Sequence, residues 1–290
     1  MKKLILNLVV CSTFFSTNAQ NLDAYRIFTS EGETINFESM KESLLEKDVI
    51  LFGELHDNPI VHWLQLELTI ATYNAKGNSL ILGAEMFETD NQLIIDEYFR
   101  GHINQGRFEA EARLWSNYKT DYKPILEFAK VNKINFIATN IPRRYASMVS
   151  SGGFDALEKL SDDAKKFIAP LPIEYDHELP GYKAMLSMMG MPGKGMESQN
   201  FPKAQAIKDA TMARNISENL VENGVFLHFH GTYHSNNYEG IVWYLKKYQP
   251  NKSMATIASV LQDGTDKLDE ENIGLADYII VIPQRMTRTY

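Results

Sequence analysis

Two copies of the pattern Gly-x-x-His follow apolar runs in this 290-residue chain, at Gly53–His56 and at Gly231–His234. A glycine lets the backbone leave a strand sharply, and a histidine three residues later can turn back over the strand end. Glu54 lies inside the first motif, and Glu85 follows another apolar run. Histidine and glutamate act as general base and general acid, and imidazole and carboxylate groups also bind divalent metals. The spacing does not choose between these two chemistries, and both stay open.

A third histidine-rich feature precedes the second motif. His228 and His230 are separated by one residue, so in a strand they lie on the same face. Either both pack between the sheet and its helices, or His230 joins the motif histidines. The predicted catalytic residues are therefore Glu54, His56, Glu85 and His234, and the predicted metal ligands are His56, His230 and His234.

Short apolar runs that alternate with longer segments of helical period predict the elements that position these residues. The runs predict six strands, at Asp48–Phe52, Ser79–Ala84, Ile134–Thr139, Val225–Phe229, Ala255–Val260 and Tyr278–Ile282. The segments between them predict helices, of which one begins at Pro59 and ends near Lys76. This alternation is typical of an α/β fold with a mostly parallel β-sheet flanked by helices. In such a sheet ligands bind beyond the carboxyl ends of the strands, where the motifs above are expected.

The domain organisation is predicted from three changes along the chain. Residues 1–19 have a basic start, an apolar stretch and a small-residue end at Ala19, which predicts a signal peptide and an exported protein. Residues 20–153 and 202–290 are expected to form the α/β core. Residues 154–201 have no strand signal and predict a smaller, methionine-rich helical insertion. Cys11, the only cysteine, falls in the predicted signal peptide, where a lipid anchor is the less favoured alternative to an ordinary apolar residue.

The charge excludes one class of partner. The formal net charge is -8, from 29 basic and 37 acidic residues, and no block of like charge occurs. An acidic chain of this kind is not expected to bind nucleic acid, because phosphate backbones require basic patches. A small ligand is the better match.

The motifs taken together closely resemble the ChaN family of haem-binding uptake proteins, which is similar to the Tiki, TraB and erythromycin esterase group. The runs that carry the resemblance are Phe52–Asn58, Glu85–Phe87 with Asp90 and Gln92, Asp121–Tyr122, Asn140–Arg143, Asp209–Ala213 and Gly231–His234. The resemblance implies an α/β core with a smaller helical part and an exported protein that binds haem for iron uptake. It also implies tyrosine ligation, subunits that pair through haem, and contact with outer-membrane uptake machinery.

The insertion contains residues suited to a haem. Its five methionines, at Met185, Met188, Met189, Met191 and Met196, are adaptable and polarisable, and two of them, Met188 and Met189, are predicted haem contacts. A Cu(I) site and an ordinary core helix are the alternative interpretations. The resemblance favours Tyr182 as axial ligand over Tyr145, Tyr175 and His177. Arg143 is a candidate for pairing with a haem propionate, since guanidinium binds carboxylates in bidentate fashion.

Two functions therefore follow from the sequence. The first is an exported, periplasmic or membrane-associated haem-binding protein that acts in haem and iron uptake. The second is a hydrolase in which the paired Gly-x-x-His motifs hold a metal or supply a base and an acid.

Overall fold

The computed structural model describes residues 22–189 and 200–290, without the side chains of residues 187–189. The predicted signal peptide at residues 1–19, with Cys11, lies outside the described residues. So do Met191 and Met196 of the predicted insertion and the side chains of Met188 and Met189. Within the described part of the chain, no helix is both long enough and apolar enough to cross a membrane.

Eight strands of the described chain form one sheet, in the order β2-β1-β8-β7-β3-β6-β4-β5. The strands are β1 (Arg26–Thr29), β2 (Thr34–Ile35), β3 (Val49–Glu54), β4 (Leu80–Glu88), β5 (Asn135–Asn140), β6 (Val225–Gly231), β7 (Met254–Gln262) and β8 (Tyr278–Pro283). All neighbours from β8 to β5 pair in parallel, and only β1 pairs antiparallel, with β2 and β8. The predicted α/β fold with a mostly parallel sheet is confirmed.

Helices cover both faces of the sheet. They are α1 (Phe37–Leu44), α2 (Pro59–Lys76), α3 (Gln92–Phe99), α4 (Gln105–Glu111), α5 (Lys123–Asn132), α6 (Arg143–Gly152), α7 (Asp162–Lys165), α8 (Pro180–Met189), α9 (Phe201–Glu218) and α10 (Ile241–Tyr248). The start of α2 shows why the sequence signals it clearly. Asn58 caps the helix by accepting hydrogen bonds from the amides of residues 60 and 61, and Pro59 occupies the first turn, where no amide donor is needed.

The central strands separate two hydrophobic cores. In β3, Ile50 and Phe52 face α1 to α5, whereas Val49 and Leu51 face α6, α9 and α10. All six residues of β3 are buried, as expected for a parallel strand with helices on both sides. Residues 154–173 also contribute apolar side chains to the core on the α9 face.

The sequence patterns missed the first part of the sheet. β1 and β2 are four and two residues long, too short to produce an alternating pattern that stands out. They add an antiparallel edge beside β8, far from the strand ends that carry the motifs. The helices α1, α4 and α6 were also not predicted, and each has ten residues or fewer.

Candidate functional site

The site forms at the carboxyl edge of the sheet, where β3, β6 and β4 are adjacent. Glu54 ends β3, Glu85 lies near the end of β4, and Gly231 ends β6. Parallel strands bring their carboxyl ends to the same edge, so motifs separated by about 180 residues in the sequence become neighbours. The Glu85 Oε2 atom accepts a hydrogen bond of 2.8 Å from the Gly231 amide, which ties β4 to β6 at this edge.

Glu54 and His56 form the first acid–base pair. Glu54 is fully buried, and its Oε1 atom lies 2.8 Å from the His56 Nδ1 atom. The Tyr122 hydroxyl and the Gln65 amide donate hydrogen bonds of 2.7 Å to the same carboxylate. Burial alone would raise the pKa of Glu54, but the hydrogen bond from His56 and the neighbouring histidine charges lower it overall. The carboxylate therefore stays ionised and orients the imidazole.

His56 keeps its second nitrogen available. Its side chain is 34% exposed, and its ring packs edge-on against Trp115 with the ring centroids 4.9 Å apart. Its carbonyl accepts hydrogen bonds from Asn117 and His62, which hold the turn after β3 in place. Burial would lower the pKa of His56, but the hydrogen bond and the charge of Glu54 raise it overall. The Nδ1 proton is directed at Glu54, so the Nε2 atom is free to exchange a proton.

His234 forms the second pair and lies between two carboxylates. Its Nδ1 atom is 2.5 Å from the Asp209 Oδ1 atom, and its Nε2 atom is 3.2 Å from the Glu85 Oε1 atom. Burial alone would lower the pKa of His234, but the charges of Glu85 and Asp209 and its hydrogen bonds to both raise it to about 10. The same charge on His234 holds the pKa of Glu85 well below its usual range, against the effect of burial. At neutral pH this imidazole is therefore a cation.

Gly231 brings the two halves together. A Cβ atom on this residue would lie 2.7 Å from the His56 Nε2 atom and 3.6 Å from the Glu85 Oε2 atom. Gly53 is enclosed in the same way, since its Cβ atom would lie 2.8 Å from the Thr232 Cα atom. Both glycines allow close approach of the two motif loops, whereas the sequence suggested only a sharp turn. The structure thus places Glu54, His56, Glu85 and His234 around one point, and their catalytic role stays a prediction.

His230 does not join this group. Its Nδ1 atom is 3.0 Å from the His228 Nδ1 atom, and its Nε2 atom is 2.8 Å from the Ser235 hydroxyl, so both of its nitrogens are occupied. Among residues 22–189 and 200–290, no group of three or more His, Cys, Asp or Glu side chains is arranged to hold a metal ion. The divalent metal predicted at His56, His230 and His234 is therefore not supported. The physical reason is that protein partners take both nitrogens of His230 and His234 and the Nδ1 atom of His56.

The predicted haem-binding residues lie in different surroundings. Tyr182, in α8, is 4% exposed, and its hydroxyl donates a hydrogen bond of 2.8 Å to the Asp209 Oδ2 atom. Burial and the charge of Asp209 raise the pKa of Tyr182 above its ordinary value. Arg143 is exposed at the first residue of α6, which follows the carboxyl end of β5. Met188 and Met189 end α8, and their side chains lie outside the description.

Sequence reasoning missed four residues that complete the site. Gln65 and Tyr122 bond Glu54, Asp209 bonds His234, and Tyr233 is 72% exposed on the turn between Gly231 and His234. Asp209, Tyr122 and Tyr233 fall within the runs that carry the family resemblance, which is the signal that pointed to them. Gln65 has no such signal, because it belongs to the buried stripe of α2.

A model of the haem-binding uptake family (Tiki superfamily, ChaN) matches residues 40–245. The chain belongs to this family. The resemblance inferred from the motifs is therefore confirmed, and the matched segment contains every residue of the two acid–base pairs.

Solved structures show the shared fold. ChaN of Campylobacter jejuni, which binds haem cofacially, is 17% identical, has a TM-score of 0.63, and the match covers 89% of this chain and 96% of that chain. The erythromycin esterase EreC is 9% identical with a TM-score of 0.49, and the match covers 89% and 97% of the two chains. The type III effector HopBA1 is 13% identical with a TM-score of 0.47, covering 86% and 93%. No curated protein sequence matches the chain.

Proposed function

We propose that this chain binds haem, with the phenol oxygen of Tyr233 as the axial ligand to the iron. The observation that carries the proposal is the match to the haem-binding uptake family over a segment that includes an exposed tyrosine at the mouth of the crevice. Haem iron has an axial position that a tyrosine oxygen can fill. Tyr233 is 72% exposed and lies beside His234, so its oxygen is accessible to a large planar ligand.

The surroundings of the two tyrosines favour Tyr233 over Tyr182. A tyrosine that ligates ferric iron gives up its proton and turns its oxygen toward the ligand. The oxygen of Tyr182 is instead directed at Asp209 inside the protein, and a second anion beside that carboxylate is disfavoured. Tyr182 is better suited to hold Asp209 in place for His234. Ligation by Tyr182 requires that contact to open.

Further contacts with the haem are proposed on the same edge of the sheet. Arg143 is exposed next to the end of β5 and carries the guanidinium that pairs well with a propionate. Met188 and Met189, at the end of α8, remain the proposed apolar contacts.

We also propose that the chain is exported and acts in haem uptake. The pattern of residues 1–19 supports a signal peptide. The family description supports a role in uptake, for which pairing of two subunits through haem and transfer from outer-membrane machinery are the corresponding proposals. Mass spectrometry of the mature protein would show cleavage after Ala19, and an uncleaved or lipid-modified chain at Cys11 would contradict it.

A haem titration of the purified mature protein tests the binding proposal. We expect a saturable Soret band with charge-transfer features of tyrosinate ligation, and a haem-dependent dimer by size exclusion. Tyr233→Phe should remove those features, whereas Tyr182→Phe should keep them. Tyr248→Phe is the matched control, since Tyr248 is a part-exposed tyrosine at the far end of α10. Wild-type spectra from Tyr233→Phe would refute the ligand assignment, and absence of saturable binding would refute the function.

The two acid–base pairs favour a second candidate function, hydrolysis by proton transfer. His56 has a carboxylate on Nδ1 and a free Nε2 atom, which is the arrangement of a general base. His234 is held as a cation between Glu85 and Asp209 and is suited to stabilise or protonate a leaving oxygen. No metal is needed for this chemistry.

Hydrolysis of p-nitrophenyl esters over a pH series tests this second function. Because the pKa of His56 is raised above 6.5, the rate should increase as the pH rises through that higher value. His56→Gln should abolish the rate, and His177→Gln, at an exposed histidine, should leave it unchanged. A rate that is absent, or that His56→Gln does not affect, would exclude the role of His56 as base.

A further inference from the structure

The buried pair His228 and His230 is not used by either proposed function. Both residues lie in β6, which is paired on both sides with β3 and β4, and both side chains are fully buried. A central strand normally has apolar residues at such positions, because a buried polar group without partners costs free energy. Two imidazoles in this place therefore need a structural explanation.

The pair is part of a chain of hydrogen bonds that crosses the α9 face of the sheet. The Thr139 hydroxyl at the end of β5 is 2.7 Å from the His228 Nε2 atom. The two Nδ1 atoms of His228 and His230 are 3.0 Å apart. The chain ends at Ser235, whose hydroxyl is 2.8 Å from the His230 Nε2 atom.

The geometry fixes the protonation of the two rings relative to each other. A hydrogen bond between two Nδ1 atoms contains one proton, so one imidazole is the Nδ1–H tautomer and the other is the Nε2–H tautomer. Burial and the charge of His234 lower the pKa of His230 to about 3, and burial with His230 lowers the pKa of His228 as well. Both rings stay neutral, so the chain is intact across the physiological pH range.

Ser235 connects this chain to the site. Its amide donates to the Thr232 carbonyl and closes the turn that contains Tyr233 and His234. Ser235 is 1% exposed, whereas Tyr233 in the same turn is 72% exposed. The turn is thus anchored on its inner side and presents its outer side to solvent.

We propose that His230 is a positioning residue that, through Ser235, fixes the turn carrying Tyr233 and His234 at the mouth of the crevice. His228 holds the ring of His230 in the orientation that reaches Ser235. The consequence for haem rests on the proposed function, because it assumes that Tyr233 is the ligand.

Amide hydrogen exchange in the haem-free protein tests the positioning role directly. The reporters are the Ser235 and Tyr238 amides, which bond the Thr232 and Ser235 carbonyls. Ser235→Ala and His230→Phe should each raise their exchange rates by roughly fivefold, the factor that corresponds to a net hydrogen bond of about 1 kcal/mol. The double variant should exchange no faster than either single one, since both remove the same bond.

Two controls separate this role from a general loss of stability. Ser235→Thr keeps the hydroxyl and should restore wild-type exchange. Thr72→Val removes a buried hydroxyl that bonds the Leu68 carbonyl in α2, on the other face of the sheet, and should leave the two reporters unchanged. Unchanged exchange in Ser235→Ala, or effects that multiply in the double variant, would overturn the proposal.

Spectra with haem distinguish this proposal from the proposed function. If Tyr233 is the ligand, Ser235→Ala should shift its charge-transfer band and weaken haem binding by roughly fivefold. If Tyr233→Phe binds haem as the wild type does, while Ser235→Ala still raises exchange, the ligand assignment fails and the positioning role stands.

Discussion

His234 should stabilise the fold at neutral pH and lose that effect in mild alkali. It is held between Glu85 and Asp209, and its pKa in the folded protein is about 10 against an ordinary value of 6.5. A group whose pKa is raised on folding binds its proton more tightly in the folded state. Its contribution is therefore complete below pH 6.5 and declines as the pH rises through 10.

The size of the effect follows from the shift. A rise from 6.5 to about 10 corresponds to roughly 5 kcal/mol at full protonation, at about 1.36 kcal/mol per pKa unit. Between pH 7 and pH 9.5 the linkage relation predicts a loss of about 3 kcal/mol in the free energy of unfolding. That is a large part of the stability of an ordinary domain.

Urea unfolding of the haem-free protein between pH 7 and pH 9.5 measures this loss. The wild type and His177→Gln, which changes an exposed histidine, should both lose about 3 kcal/mol over this range from the linkage above. His234→Gln should be less stable at pH 7 and should show a much flatter pH dependence, with the remainder due to His56. Proton and carbon NMR of the His234 ring should show an imidazolium that titrates near pH 10.

Two results would refute the reasoning. One is a His234 resonance that titrates near the ordinary value of 6.5. The other is a free energy of unfolding with the same pH dependence in His234→Gln as in the wild type. Either would mean that Glu85 and Asp209 do not hold a charge on this imidazole in solution.

Three substitutions give further predictions. Gly231→Ala should force the His56 ring out of the crevice and destabilise the fold by about 1–3 kcal/mol, as overpacked sites do, which urea unfolding would show; wild-type stability with an unmoved ring would contradict the contact. Tyr122→Phe should cost about 1–3 kcal/mol at pH 7 by removing a donor to Glu54. The pKa of Glu54 should rise, so the acid loss of stability should begin at higher pH, and an unchanged acid limb would argue against the bond. Phe229→Ala should cost about 3–5 kcal/mol, since it empties a fully buried position of the central strand, and a cost below about 1 kcal/mol would be inconsistent with that burial.

The fold was predictable because burial on both faces leaves a local record in the sequence. The apolar runs gave all six parallel strands, and Asn58 with Pro59 marked the start of α2, because strand burial and helix capping involve residues close in the chain. The edge strands β1 and β2 were missed since so few residues produce no readable period.

The candidate site was predictable only in part. The spacing of Gly53–His56 and Gly231–His234 marked the two motif loops, because sharp exits from strands need glycine. The sequence could not show that Glu54 serves His56 while Asp209 and Glu85 serve His234. Nor could it show that His230 turns away toward Ser235.

These assignments depend on contacts between elements distant in the chain. Residue types and periods fix which side chains are buried and which strand ends are polar. The order β3-β6-β4 decides which of those ends meet, and the packing of α2 and α9 on opposite faces decides which helix residue reaches each one. The exposure of Tyr233 and the burial of Tyr182 also arise from that packing, because a tyrosine in the sequence has no mark that says which way its oxygen will face.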